Sequence, residues 1–405
     1  MIKIVIINTF DNGSTGKICL GLKKTAESNG MYASFFCERW KHSNSNDVNY
    51  LGTRIGNFIS AQMGKLGFKS TIFSRINTNK LIKRIKDINP DVIHIHNLHN
   101  NYIDLKLFFN FLKKSNYKVI WTLHDCWSFT GRCPYFTLLN CYKWKTGCFD
   151  CKYSKKLYPQ SFFDRSKTMW IHKKECFLGL QDLVIVTPSR WLEKLVKESF
   201  LKNYPIVTIN NGIDLQIFKQ TLNNSFRKKH RIGRTKYLLL GVAFDWGHRK
   251  GLDVFIELAK KLNNDYQIVL VGTNEKVDKS LPNTIISIHR TSNQKELAEI
   301  YSSADLFINP TREENYPTVN MEAIACGTPV VTFSTGGSPE IIDDKTGRVV
   351  RCGDIDEMKR QIIDICEHHS IQRIDCLEKA KTFDLKKRFK KYLDLYNSQT
   401  KENIF

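Results

Sequence analysis

Two glutamates with a spacing suited to ligand chemistry, Glu314 and Glu322, lie in the segment PTREENYPTVNMEAIACGTPVV. Pro317 is typical of a first helical turn, and Gly327 followed by a proline ends a helix. Glu314 is therefore predicted just before a helix, and Glu322 about one turn inside it. The free N–H groups of a helix N-terminus attract anions. Two carboxylates beside an anion site indicate a ligand that carries both hydroxyls and phosphates, as a nucleotide-linked sugar does.

Basic and glycine-rich loops offer candidate partners for such phosphates. Arg249 and Lys250 follow a predicted strand in FDWGHRKGLD, where cations would neutralise a departing diphosphate. On their own, a solvated loop is the simpler explanation of this pair. The first predicted strand leads into NTFDNGSTGKI, where Gly16 would let the backbone approach a phosphate, although a plain turn is the alternative.

Histidines lie at the ends of two other predicted strands. His124 and Asp125 end the strand of KVIWTLHDCW, and DVIHIHNLHN carries His94 and His96 on one strand face, followed by Asn97. Three histidines are compatible with a zinc hydrolase, but no helical HExxH accompanies them. His96, Asn97 and Asp125 are therefore interpreted as polar residues for an acceptor.

A cysteine cluster within residues 126–151 has the spacing C-x7-C-x6-C-x2-C, formed by Cys133, Cys141, Cys148 and Cys151. Four thiolates with a terminal CxxC are able to hold a tetrahedral structural zinc. Free thiols explain the pattern about as well, and a disulfide is disfavoured in a reducing cytosol.

A D-x-D pair, Asp354 and Asp356, is the kind of pair that coordinates a nucleotide-bound metal. Here the pair opens a predicted helix, where capping explains it fully. No catalytic metal or other cofactor is therefore predicted.

The elements that position these residues follow from the pattern of the 405-residue chain, a length that indicates two domains. Strands alternating with amphipathic helices predict an α/β protein with parallel sheets. We expect a first domain at 1–207 with the cysteine insertion at 126–151, a second at 208–384, and a C-terminal helix within 385–405 that returns to the first domain. The predicted strands are IKIVII, DVIHIH, KVIWTLH, LVIVTPS, YLLLGVA, QIVLVG, LFINP and PVVTF.

The net charge of +22 is concentrated in the first half of the chain. Residues 1–210 hold 32 basic and 14 acidic residues, which favours an acidic partner such as an anionic membrane, a nucleic acid or a phosphorylated substrate. A merely basic, well-solvated surface is the alternative. No apolar run approaches the ~20 residues of a membrane span. The expected location is the cytoplasm, with peripheral binding to the inner face of the cell membrane.

The segment from Glu314 to Glu322, followed by AIACGTPVV and GGSPEII, resembles the signature of retaining glycosyltransferases of family 4. The resemblance implies a GT-B fold, with two facing Rossmann-like domains and an interdomain cleft. It implies donor contacts from Glu314 to the sugar and from Glu322 to the ribose. Further contacts to the donor are implied for Gly16, His124, Arg249, Lys250, Asn315 and Tyr316. The family's arginine directly after the strand glycine is missing, since Val242 stands there.

The function predicted from this resemblance is transfer of a sugar from a UDP- or GDP-linked donor to a growing glycan or lipid-linked acceptor, with retention of anomeric configuration. Surface polysaccharide biosynthesis is the expected setting. A sugar-nucleotide epimerase of the same fold, a glycoside hydrolase with two carboxylates and a basic nucleic-acid-binding protein are the alternatives. The acidic residues expected in the cleft argue against nucleic acid.

Overall fold

The computed structural model describes residues 1–40, 45–151, 163–222 and 225–398. The chain divides into two compact units, Met1–Ile209 with Phe389–Phe405, and Asn210–Arg388. Among these described residues, no helix is both long enough and apolar enough to cross a bilayer.

The first unit is built on a seven-stranded, all-parallel sheet with the order β3-β2-β1-β4-β5-β6-β7. Its strands are β1 (Lys3–Ile7), β2 (Tyr32–Glu38), β3 (Asn49–Leu51), β4 (Val92–Ile95), β5 (Lys118–Thr122), β6 (Leu183–Thr187) and β7 (Ile206–Thr208). Its helices are α1 (Gly13–Ser28), α2 (Arg54–Lys65), α3 (Ile72–Ile88), α4 (Leu105–Lys113), α5 (Ser166–Phe177) and α6 (Arg190–Lys197).

The second unit holds a six-stranded parallel sheet with the order β10-β9-β8-β11-β12-β13. Its strands are β8 (Tyr237–Val242), β9 (Tyr266–Val271), β10 (Ile285–Ile288), β11 (Leu306–Asn309), β12 (Val330–Phe333) and β13 (Gly347–Val350). Its helices are α7 (Ser225–Lys229), α8 (Leu252–Lys261), α9 (Glu275–Asp278), α10 (Gln294–Ser303), α11 (Thr318–Ala325), α12 (Ile355–Glu367) and α13 (Arg373–Ala380).

Central strands of both sheets are apolar along their whole length because helices cover both faces. All four residues from Ile4 to Ile7 in β1 and the three from Leu238 to Leu240 in β8 are fully buried. Each of the eight predicted apolar runs forms a strand, and the predicted α/β class with two parallel sheets is confirmed. In a parallel sheet the carboxyl ends of neighbouring strands share one edge, so the loops after β4 and β5 are adjacent, as are those after β8 and β11.

The C-terminal helix α14 (Leu385–Asn397) begins in the second unit, and its residues from Phe389 onward belong to the first. Its aromatic face is buried there, with the Tyr396 hydroxyl 2.7 Å from His94 Nδ1. The Lys118 ammonium donates to the carbonyl oxygens of Leu395 and Ser398, each at 2.6 Å. Lys118 therefore binds the carbonyl end of α14, where a cation is favoured.

Candidate functional site

Lys250 and Glu314 form an ion pair in the second unit. The Lys250 Nζ lies 2.7 Å from Glu314 Oε2, and the two side chains are only 16% and 18% exposed. Lys250 follows β8, whereas Glu314 follows the neighbouring strand β11. The structure therefore brings together the residues predicted to contact the donor's phosphates and its sugar.

The loop after β8 and the loop after β11 are held together by backbone contacts and by a second ion pair. The Arg312 amide donates to the Arg249 carbonyl at 2.9 Å, and the Arg312 guanidinium forms two hydrogen bonds to Asp253, at 2.7 and 2.8 Å. Gly251 has a φ of +75°, and a Cβ there would lie 2.4 Å from the Pro310 carbonyl oxygen. Only glycine fits this contact, which fixes the position of the neighbouring Lys250.

The backbone segment after β12 also contacts the backbone at Glu314. Gly336 has a φ of +55°, and a Cβ there would lie 1.7 Å from the Glu314 carbonyl oxygen. The Gly337 amide donates to the Asn315 carbonyl at 2.6 Å. Asn315 and Tyr316, both predicted to bind the donor, are buried beside this junction. The backbone around Glu314 is thus held on both sides.

Glu322 lies on α11, one turn and a half after Pro317, as the sequence pattern predicts. The Tyr301 hydroxyl donates to Glu322 Oε2 at 3.2 Å, and this bond orients the carboxylate. Arg249 differs from its neighbour Lys250, because its guanidinium is 3.8 Å from the exposed Asp245. The structure pairs Lys250, and not Arg249, with Glu314.

The first unit gathers His96, Asn97, His124 and Asp125 around one small pocket. His96 Nδ1 lies 2.9 Å from His124 Nε2, and the two rings stack with centroids 5.2 Å apart. Asp125 accepts a hydrogen bond from the Trp127 amide at 2.8 Å. Within the described ranges, the buried Nε2 of His96 has no hydrogen-bond partner. A hydroxyl-bearing ligand would satisfy that atom.

Burial lowers the pKa of His94, His96 and His124 and so favours their neutral forms. It lowers the pKa of His124 to about 4 and, together with the nearby His124, the pKa of His94 to about 3. A neutral imidazole has one donor and one acceptor nitrogen, so His96 and His124 share a single proton between their facing nitrogens. His94 does not line the pocket: its nitrogens meet Tyr396 and Thr122 inside the unit.

We expect His94 to make the first unit acid-sensitive. A folded-state pKa of about 3 lies below the unfolded value near 6.5, so the unfolded chain binds the proton more tightly and acid favours unfolding. Between pH 7 and pH 5 this costs about 2 kcal/mol. The His94→Gln variant should lose that part of the pH dependence in urea unfolding curves, whereas His368→Gln, at an exposed position, should keep it. An unchanged slope in His94→Gln would contradict the assignment.

Gly16 lies in the first turn of α1, where a close backbone contact explains its lack of a side chain. A Cβ at Gly16 would lie 2.3 Å from the carbonyl carbon of Asp11. The loop is also tied to the pocket, because the Asn97 amide donates to Asn8 Oδ1 at 3.1 Å and Thr9 Oγ1 donates to the Asn97 carbonyl at 2.9 Å. A contact from Gly16 to the donor stays a prediction.

The four clustered cysteines, Cys133, Cys141, Cys148 and Cys151, are free thiols, each partly buried. Burial, reinforced by the other three thiols, raises the pKa of Cys133 to about 12. The insertion has a small aromatic core in which Trp144 packs against Phe129 and Phe136, each with centroids 5.0 Å away. In the parts of the chain that the structure describes, no group of three or more such side chains is arranged to hold a metal ion. Zinc at these cysteines stays a prediction.

The D-x-D pair behaves as the capping interpretation predicts. Asp354 accepts a hydrogen bond from the Glu357 amide at 3.0 Å at the start of α12, and Asp356 pairs with Lys261 at 2.8 Å.

Two residues that shape the site did not stand out in the sequence. Arg312 locks the loops after β8 and β11, and His99 Nε2 lies 3.4 Å from Asp125 Oδ2. Their only signal was proximity in sequence to Glu314 and to His96.

Comparisons with known proteins show the family of this chain. The model of Glycosyltransferase Family 4 matches residues 19–217, and that of Glycosyl transferases group 1 matches residues 235–368. The chain is 26% identical over 288 residues to WcaC of Escherichia coli K12, which carries the name of a colanic acid biosynthesis glycosyl transferase, covering 68% of this chain and 67% of WcaC.

One further relative and one solved structure are informative. An Escherichia coli UDP-Gal:alpha-D-GlcNAc-diphosphoundecaprenol alpha-1,3-galactosyltransferase is 25% identical over 224 residues, covering 50% of this chain and 57% of the relative. The structure of Anabaena HepE in complex with UDP-glucose aligns with a TM-score of 0.68 and 13% identity over 98% of this chain and all of HepE. That alignment shows the GT-B fold.

The fold and the two matched family models define this protein as a glycosyltransferase of the GT-B class. Within that class the chain is a family 4-like glycosyltransferase, and its relative WcaC is named for colanic acid biosynthesis. The comparisons favour neither a sugar-nucleotide epimerase nor a nucleic-acid-binding protein.

Proposed function

We propose that this protein transfers a hexose-type sugar from a UDP- or GDP-linked donor to a growing glycan or lipid-linked acceptor, with retention of anomeric configuration, on the cytoplasmic face of the membrane. The observation that carries the proposal is the partly buried ion pair between Lys250 and Glu314. A lysine ammonium has three N–H donors, and one of them goes to Glu314. A sugar bound to Glu314 would therefore place its phosphate linkage next to that ammonium.

Each residue has a separate task in this proposal. Lys250 with Arg249 neutralises the diphosphate without a catalytic metal, Glu314 positions the sugar, and Glu322 holds the ribose. His124 in the first unit contacts the transferred sugar, and the departing diphosphate takes the acceptor proton. Two printed names support it: the related galactosyltransferase is named for a UDP-sugar donor and a diphosphoundecaprenol acceptor, and the structural neighbour HepE is in complex with UDP-glucose.

The Glu322→Ala variant tests donor binding. Because a hydrogen bond to a charged group contributes more than a neutral one, we expect the donor Kd to rise about 10- to 100-fold. A ligand that binds only the folded state raises its thermal stability, so a thermal-shift screen against UDP, GDP and CMP identifies the base and then measures the loss in the variant. The matched control is the exposed Glu275→Ala. No shift with any nucleotide in the wild-type protein would contradict the proposal.

The product itself tests the reaction class. NMR of the transferred sugar should show the donor's anomeric configuration, and transfer should persist in EDTA. Conversion of the donor sugar without an acceptor would instead indicate an epimerase, and an inverted product would contradict retention.

A further inference from the structure

Helix α2 and the first half of helix α3, both in the first unit, bury small or polar residues and expose large apolar ones. In α2, Gly56 and the polar residues Asn57 and Ser60 are buried, whereas Ile55 and Phe58 are 74% and 53% exposed. The usual arrangement of a surface helix places apolar residues inside and polar residues outside. Exposed apolar side chains in such a cluster mark an interaction surface.

Helix α3 repeats the pattern in its first half. Ser74, Asn77 and Thr78 are buried, whereas Ile72 and Ile76 are 69% and 45% exposed. Ile72 and Ile76 are four residues apart and share one helix face. Both helices therefore present isoleucine or phenylalanine side chains to solvent.

A buried polar network fixes this orientation. Asn57 donates to the carbonyl oxygens of Arg39 and Leu51, at 3.1 and 2.9 Å, and Asn77 donates to Asn57 Oδ1 at 2.9 Å. Ser60 and Thr71 share a hydrogen bond of 2.7 Å. Rotating either helix to bury its apolar side would break these bonds, and leaving buried polar groups unpaired is costly. The apolar exposure is thus built into the fold.

The charge around these side chains selects one kind of partner. Residues 54–86 contain eight lysines and arginines and no acidic residue. On α3 the outward face continues from Ile76 to Lys80 and Lys83, both exposed. Protein interfaces are depleted in lysine, and a nucleic acid would leave the isoleucines without an apolar contact. An anionic membrane offers acyl chains to the apolar side chains and headgroups to the lysines.

We propose that the outward face of α2 and α3, which we call the α2–α3 face and define by Ile55, Phe58, Ile59, Ile72, Ile76, Lys80 and Lys83, docks the protein on an anionic lipid bilayer. The apolar side chains enter the boundary between headgroups and acyl chains, and the lysines bind lipid phosphates. The inference deepens the proposed function, because a lipid-linked acceptor lies at such a surface, but docking requires neither donor nor transfer.

Flotation of the full-length protein with vesicles tests the proposal. The wild-type protein should float with vesicles of phosphatidylcholine and phosphatidylglycerol in equal amounts, and much less with phosphatidylcholine alone. The double variant Phe58→Ser, Ile72→Ser should bind more weakly by about tenfold for each side chain removed. Lys80→Glu, Lys83→Glu should weaken binding about fivefold per lysine, and added salt should weaken wild-type binding in the same way.

The matched control replaces exposed apolar residues of the second unit, in the double variant Val349→Ser, Ile374→Ser, which should float like the wild type. The nucleotide-induced thermal shift verifies that each variant is folded, and it reports on the second unit independently of lipid. Equal flotation of the Phe58, Ile72 variant and the wild type would overturn the proposal. So would a wild-type dimer that does not float and that this variant converts to a monomer, since the face would then bind protein.

Failure of the proposed function and failure of the docking proposal would give different experimental results. Absence of any nucleotide shift, with flotation that still depends on Phe58 and Ile72, would contradict the proposed donor and support the docking face. Flotation unaffected by these residues, with a nucleotide shift lost in Glu322→Ala, would do the reverse.

Discussion

Replacing Lys250 with alanine is expected to lower kcat for sugar transfer about 100- to 1000-fold. The expected increase in donor Kd is smaller, no more than about tenfold, because the ammonium interacts most strongly with the charge that develops as the diphosphate departs. Glu314 holds the Lys250 Nζ at 2.7 Å, and both side chains are mostly shielded from water, which strengthens such an interaction. Initial rates over a range of donor concentrations, with Kd from calorimetry, separate the two effects.

A second lysine of the same unit provides the control. Lys379 pairs with Asp343 at the same 2.7 Å distance but on the surface, and Lys379→Ala should leave kcat unchanged. Lys250→Arg keeps the charge with a different shape and should retain part of the activity. Wild-type kcat in Lys250→Ala would show that the ion pair is structural only.

Replacing Gly336 with alanine is expected to reduce activity more than about 100-fold, although Gly336 has no side chain that could contact the substrate. The new Cβ would lie 1.7 Å from the Glu314 carbonyl oxygen, so the backbone carrying Glu314 or Gly336 must move. A displacement of about 1 Å in a positioning group is enough to cost two orders of magnitude in rate. The measurements are kcat and the melting temperature of the same preparation.

Gly353→Ala separates this displacement from ordinary backbone strain. Gly353 also has a positive φ, +87°, but no heavy atom lies within 4 Å of its Cβ position. Both alanines carry the cost of a left-handed conformation, roughly 1–2 kcal/mol. Only Gly336→Ala should lower kcat by more than its loss of stability explains. Equal activity in the two variants would mean that the junction at Glu314 tolerates movement.

The central strands were predictable because burial on both faces leaves a continuous apolar run, as in β1 and β8. β2 was missed because it carries polar residues inside the fold. Glu38 at its end is fully buried, and burial raises the pKa of its carboxyl to about 8. Its partner, Asn100, donates to Glu38 Oε1 at 3.0 Å from 62 residues away, a contact that no local pattern indicates.

The candidate site was predictable only as separate pieces. Residue types and spacing indicated Glu314, and the family resemblance indicated Lys250 and His124, but the ion pair between Lys250 and Glu314 joins residues 64 positions apart. It depends on two loops held by Gly251 and Gly336, whose positive φ values are invisible to residue spacing. His94 shares a predicted strand face with His96, but it does not line the pocket, because its hydrogen-bond partner Tyr396 lies on α14.

The partnership of His94 and Lys118 with α14 has a consequence for biosynthesis. Tyr396 is translated 302 residues after His94 of β4, and Leu395 is translated 277 residues after Lys118 of β5. At roughly 5–20 residues per second, the first unit waits on the order of ten seconds or more for α14, while the second unit is synthesised in between. A nascent chain stalled before Phe389 should therefore expose the surface of the first unit that α14 covers and bind a chaperone there, and translation of α14 should end that exposure.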